Sequence, residues 1–138
     1  MIKSEKGCQE MIDNKEVASY IIKNIDGGSI LLNDTTLNRV MIKDGDFVKS
    51  FICKDNYIFV EVIRELPKDA GSLEITQAVN KLNGETFLEK YYISEEGGKK
   101  YFNMSLTYTL HDDIEQEVKV LTKYVKRQAK AAYSKITK

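Results

Sequence analysis

The chain of 138 residues has no tryptophan, one proline, one histidine and two cysteines. Each shortage excludes something. A single histidine, His111, cannot supply a multi-histidine metal site. Cys8 and Cys53 lie far apart, with no further Cys or His near either, so they form neither a zinc knuckle nor a Cys-x-x-Cys redox pair. Cys53 follows Phe51 and Ile52, a setting in which a thiol behaves as a small buried hydrophobe. A Cys8–Cys53 disulfide stays open, because separation in sequence does not forbid it. Apolar runs are a few residues long, far short of the ~18 that span a bilayer. Val17 to Ile25 is broken by Ser19, Tyr20, Lys23 and Asn24 and lacks a signal-peptide pattern, so the expected location is the cytoplasm. Lys and Arg number 21 and so do Asp and Glu, so no global field draws the protein onto nucleic acid or anionic lipid.

What remains is an ordinary soluble composition, 42% hydrophobic and 30% charged, in a length that suits one domain, residues 1–138. Asp13 followed by Glu16 resembles a capping box, and Val17, Ala18, Ile21, Ile22 and Ile25 form one helical stripe. That first helix starts at Asp13, or earlier near Glu10, and Gly27-Gly28 should end it. Four strands follow, Ser29 to Leu32, Arg39 to Ile42, Phe47 to Cys53 and Tyr57 to Ile63, with turns at Asn33-Asp34, Asp44-Gly45 and Asp55-Asn56. Pro67 to Gly71 leads to a helix from Ser72, with Ile75, Ala78, Val79 and Leu82 on its apolar side and Asn83-Gly84 as its stop. A hairpin joins Thr86–Ser94 to Lys100–Leu110. Its second strand puts Phe102, Met104, Leu106, Tyr108 and Leu110 on one face and Asn103, Ser105, Thr107 and Thr109 on the other. Asp112 or Asp113 caps a long amphipathic helix carrying Ile114, Val118, Leu121, Val125, Ala129, Ala132 and Ile136. Short strand connections and helices at the start, middle and end define an α+β two-layer sandwich with an antiparallel sheet.

Reactive groups are few. His111 beside Asp112 and Asp113 lacks a nucleophile, and no G-x-S-x-G occurs, so it reads as a junction residue. Asp44, Asp46 and Asp55 could meet around Ca²⁺ or Mg²⁺ but have no EF-hand spacing and suit turns. Gly97-Gly98-Lys99-Lys100 fails the phosphate-loop spacing and reads as a hairpin tip. No catalytic residue, metal or cofactor is expected.

Two surfaces draw notice. All acidic residues lie at or before Glu117; residues 1–117 carry 14 basic against 21 acidic side chains, while the final helix is cationic. Helical geometry turns Lys119, Lys123, Lys126, Arg127 and Lys130 away from the apolar stripe. A solvated helix matched to its own dipole accounts for them, as does docking of an acidic partner; nucleic acid is less favoured, because the basic face lacks interleaved aromatics. The second surface is aromatic: Phe47, Phe51, Tyr57 and Phe59 are expected on the sheet face opposite Ile58, Val60 and Val62, shared with Lys49 and Glu61, as a contact surface for a partner or second subunit.

The element order, with the segment Ile75-Thr76-Gln77-Ala78-Val79-Asn80-Lys81-Leu82-Asn83, the hairpin at Gly97-Gly98 and the amphipathic helix from Asp112, resembles the type III secretion chaperone-like fold, in particular its YbjN-like branch of small bacterial proteins. The likeness spans about Asn14 to Ile136. It implies a non-enzymatic, homodimeric protein that holds a polypeptide partner, as a chaperone or regulatory adaptor, through apolar sheet surface and strand addition.

Overall fold

The computed structural model describes residues 12–25, 27–86 and 88–137. Three helices and six strands form an α+β fold in the order α1 (Asn14–Lys23), β1 (Ser29–Asp34), β2 (Arg39–Asp44), β3 (Phe47–Lys54), β4 (Tyr57–Glu65), α2 (Ser72–Glu85), β5 (Lys90–Glu96), β6 (Lys99–Thr109) and α3 (Ile114–Ile136). The strands make one open antiparallel sheet, β1-β2-β3-β4-β6-β5. All three helices pack on one face: α1 on β2 and β3, α2 on β5, and α3 between them in contact with both.

Periodicity explains the layering. In β4, Ile58, Val60 and Val62 are buried while Tyr57, Phe59, Glu61 and Ile63 are half-exposed. In β6, Phe102, Met104 and Leu106 are buried. The stripe of α3 (Val118, Leu121, Val125, Ala129, Ala132 and Ile136) is almost wholly removed from water. Each larger side chain in it contributes about 1.5–3 kcal/mol of burial, and Ala129 and Ala132 keep the helix close to its neighbours. At the β5–β6 hairpin, Gly97 and Gly98 both have positive φ, 60° and 80°, which a two-residue turn of this hand requires.

Several boundaries differ from expectation. The first helix ends at Asn24, ahead of the glycines, because the Asn24 side-chain amide donates to the Tyr20 carbonyl at 2.7 Å. A start near Glu10 lies outside the described residues. Asp13 caps through Lys15 N–H, but Glu16 accepts from the Tyr20 hydroxyl at 2.6 Å, so only half of the capping box forms. Asn33-Asp34 belongs to β1; Asp34 then turns the chain by accepting from the N–H groups of Thr36 and Leu37. The second helix runs through Asn83-Gly84 to Glu85. Asn83 does not cap it, because its amide donates to the Tyr91 carbonyl and accepts from the Tyr91 N–H, both at 2.8 Å. Thr86 accordingly closes α2, and the next strand begins only at Lys90.

The expected aromatic face requires correction. The two-residue Asp55-Asn56 turn pairs Lys54 with Tyr57, so Ile52 opposes Phe59 and Phe51 opposes Val60. Opposed residues share a face. Phe47 and Phe51 therefore belong to the core with Ile58, Val60 and Val62, and Phe51 is 2% exposed. Phe47 meets Phe102 and Tyr133 edge-on, with ring centroids 6.4 and 5.7 Å away, and the Arg64 guanidinium covers Tyr133 at 4.2 Å and Phe47 at 5.0 Å. Lys49 also moves to the helix side, while Tyr57, Phe59 and Glu61 keep the open side.

Candidate binding surfaces

Because the helices cover one side only, the other face of the sheet is bare among the described residues. Ile52, Lys54, Tyr57, Phe59 and Thr107 line a shallow, mostly apolar depression of about 420 Å³ there. Of the four aromatic residues expected to meet a partner, Tyr57 and Phe59 sit in it; Phe47 and Phe51 do not. The sheet edge at β1, separated from the depression by β2, is more exposed. Strand β1 reads exposed along nearly its whole length, with Ile30 at 45%, Leu31 at 52% and Leu32 at 40%, and Leu37 beyond it reaches 60%. A register irregularity between Ile30 and Leu32 leaves Leu31 unmatched against β2. Such a bulge interrupts the in–out alternation that would hide one side of the strand. The signal was in the sequence: three consecutive apolar residues in a strand cannot all face one core.

The basic face of α3 forms as the helical spacing requires. Lys119, Lys123, Arg127 and Lys130 are exposed, and Lys126 leans inward to within 4.0 Å of Asp44. Arg127 also lies over the Tyr124 ring at 5.9 Å.

Several other titratable groups are engaged within the fold. His111 turns not to its sequence neighbours but to Glu117, its Nδ1 3.1 Å from that carboxylate. Glu117 also accepts from the Tyr108 hydroxyl at 2.9 Å and from the backbone N–H groups of His111 and Asp112. Partial burial alone would raise its pKa, but these hydrogen bonds outweigh it and hold the carboxyl below its ordinary value. Cys53 is buried, and desolvation pushes its thiol up to about 12, as a core residue; Cys8 lies outside the described residues. Asp46 pairs with Arg64 at 3.3 Å, and Asp55 occupies a turn with φ 55°. Among the described residues no three His, Cys, Asp or Glu side chains converge as a metal site.

Glu89, which nothing in the sequence pattern singles out, is the most completely buried charge among the described residues. It lies just before β5 with no exposed surface, and accepts from the hydroxyls of Tyr91 at 2.8 Å and Tyr124 at 2.6 Å and from the Gln128 amide at 3.1 Å. Burial acts to raise its pKa, but the three donors outweigh it and hold the carboxyl below the usual range. It ties the start of β5 to α3.

No family model and no curated protein matches the chain. The arrangement defines a class all the same: among the described residues, an α+β fold with an open six-stranded antiparallel sheet, three helices on one face and a bare second face. A solved protein of this shape is YbjN from E. coli, described as a candidate transcription regulator. It superposes with a TM-score of 0.60 over 93% of both chains at 10% sequence identity. The likeness carries the YbjN-like fold and does not extend to secretion chaperones. Among the described residues, no helix is long and apolar enough to cross a membrane.

Proposed function

We propose that this chain is a non-enzymatic, cytoplasmic regulatory adaptor that acts as a homodimer and holds another polypeptide along β1 and the adjoining bare sheet face. The observation that supports this reading is the β1 edge. Among the described residues, its outer main-chain groups have no neighbouring strand and its apolar side chains have no helix over them. Addition of a strand there supplies main-chain hydrogen bonds, and the Tyr57–Phe59 depression, which lies on β3, β4 and β6, would take a separate segment of the partner. The regulator class assigned to YbjN agrees with an adaptor role. Leu31→Lys and Phe59→Asp should each reduce self-association in light scattering and reduce retention of polypeptides from the native host, with unchanged circular dichroism. Full retention of both properties in both variants would overturn the reading.

The exposed cations of α3 favour a second reading, capture of an acidic partner or nucleic acid. Salt-dependent retention on a polyanion, abolished when Lys123, Arg127 and Lys130 are changed to Glu, supports it; no retention at low salt removes it.

A further inference from the structure

Strand register lays out the open side of the sheet. Arg39, Ile52, Phe59 and Thr107 form one row across β2, β3, β4 and β6, and Lys54, Tyr57 and Thr109 form the next. Opposed residues share a face. The depression therefore has an apolar floor of Ile52, Tyr57 and Phe59, with Lys54 in its wall and Arg39 one strand beyond Ile52.

These two cations differ from several on the helix side, which are engaged by carboxylates. Lys49, 7% exposed, donates to Asp44 at 2.9 Å, Arg64 pairs with Asp46 at 3.3 Å, and Lys23 with Glu115 at 3.0 Å. Among the described residues Lys54 makes no ion pair, and it stands on an inner strand, where no sheet edge needs a charge to guard it. Arg39 gives Nε to Ser50 Oγ at 3.1 Å; the rest of its donor fork has no acceptor among the described residues. The nearest carboxylates lie outside the depression. Asp34, opposite Arg39, is on the far side and accepts from the Thr36 and Leu37 N–H groups. Glu61 is four residues along β4 from Tyr57, about 13 Å from the Lys54 row. Asp55 follows Lys54 into the turn without pairing with it.

Residues 1–117 carry 14 basic against 21 acidic side chains, so an apolar spot rimmed by two cations runs against the sign of the body around it. A segment that covers the depression takes water from both cations. An apolar or basic segment leaves that loss uncompensated, whereas a carboxylate on each side offsets it. We propose that the partner segment seated here carries one large apolar side chain against Ile52, Tyr57 and Phe59, with acidic residues beside it that meet Lys54 and Arg39. The depression, about 420 Å³, has room for such a side chain. The partner of the adaptor reading, on which this rests, is thereby an acidic stretch of polypeptide with an apolar anchor.

Fluorescence anisotropy of labelled synthetic peptides tests this, using extended chains of alternating threonine and valine around a central leucine, with glutamates, glutamines or lysines flanking the leucine. Each exposed ion pair is worth about threefold in affinity, so the glutamate peptide should bind about tenfold tighter than the glutamine peptide, and the lysine peptide weakest. Lys54→Gln and Arg39→Gln should each weaken glutamate-peptide binding about threefold and leave glutamine-peptide binding unchanged. Lys123→Gln combined with Arg127→Gln should change neither. Equal affinity for the glutamate and glutamine peptides, or no peptide binding by a chain that still retains host polypeptides, overturns the proposal and leaves the adaptor reading standing. A glutamate preference that survives Lys54→Gln and Arg39→Gln but vanishes in the α3 variant overturns it by moving the acidic segment to α3. Tighter binding of oligothymidylate than of the glutamate peptide, lost in Lys54→Gln, overturns it in favour of a nucleic acid. Retention of neither peptide nor host polypeptide overturns the adaptor reading as well.

Discussion

Replacement of Glu89 by alanine tests whether its buried carboxylate holds the two halves of the helix layer and sheet together. Hydrogen bonds to a charged group contribute about 1.5–3 kcal/mol each, but taking the carboxylate out of water opposes them, so the three cannot simply be added. Tyr124 and Gln128 are half-exposed and regain water when the acceptor is lost. Tyr91 is 3% exposed; its hydroxyl is left without a partner at about 1–3 kcal/mol, and the missing carboxyethyl atoms leave a small void. The expected loss is about 2–4 kcal/mol, a fall in Tm of roughly 6–20 °C for a domain of this size. Urea unfolding followed by far-ultraviolet circular dichroism measures it, since the chain has no tryptophan. Glu89→Gln retains the shape and should lose less.

The pH dependence supplies an independent check. Because the folded Glu89 pKa lies below its unfolded value of about 4.3, its stabilisation is present above that pH and fades as pH falls through the folded value. Glu89→Gln should therefore flatten the acid limb of the stability curve. A loss under about 0.5 kcal/mol in Glu89→Ala, with an unaltered acid limb in Glu89→Gln, would refute the reasoning.

The register of the β3–β4 hairpin gives a paired contrast. Phe51→Ala should cost about 3–5 kcal/mol and Phe59→Ala under about 1, measured by the same unfolding curves, and the reverse order would place the aromatic residues on exchanged faces. Gly28 is a further test, because a Cβ there would lie 2.9 Å from both the Ile42 Cγ2 and the Lys43 carbonyl oxygen. Gly28→Ala should lower stability by about 1–3 kcal/mol through forced displacement, and a neutral result would show that the α1–β1 connection yields easily.

The long-range features of the fold were legible because they rest on strong periodicity: α3 over seven apolar positions, β6 over four alternating pairs from Phe102 to Thr109. The site was less so. The facial assignment of Phe47 and Phe51 depends on one turn, and counting alternation within each strand says nothing about how two strands register across it. Lys49 and Glu89 escaped for another reason, since each is a charge whose partner, Asp44 or Tyr91, is near in sequence but whose burial comes from distant α3. The β1 edge could have been read from Ile30-Leu31-Leu32. On the basic side of α3, helical geometry alone sets Lys119, Lys123, Arg127 and Lys130 outward, whereas the inward turn of Lys126 toward Asp44 could not be read from spacing.

Concentrating all three helices on one side divides the sheet into two populations of residues with different tolerance for change. Side chains such as Val60 and Phe102 must retain volume and shape, whereas Ser105 or Thr107 opposite them need only suit a strand. Substitutions can accumulate on that outer side without loss of shape, and a relative that keeps the architecture can present an unrelated chemical face to its surroundings.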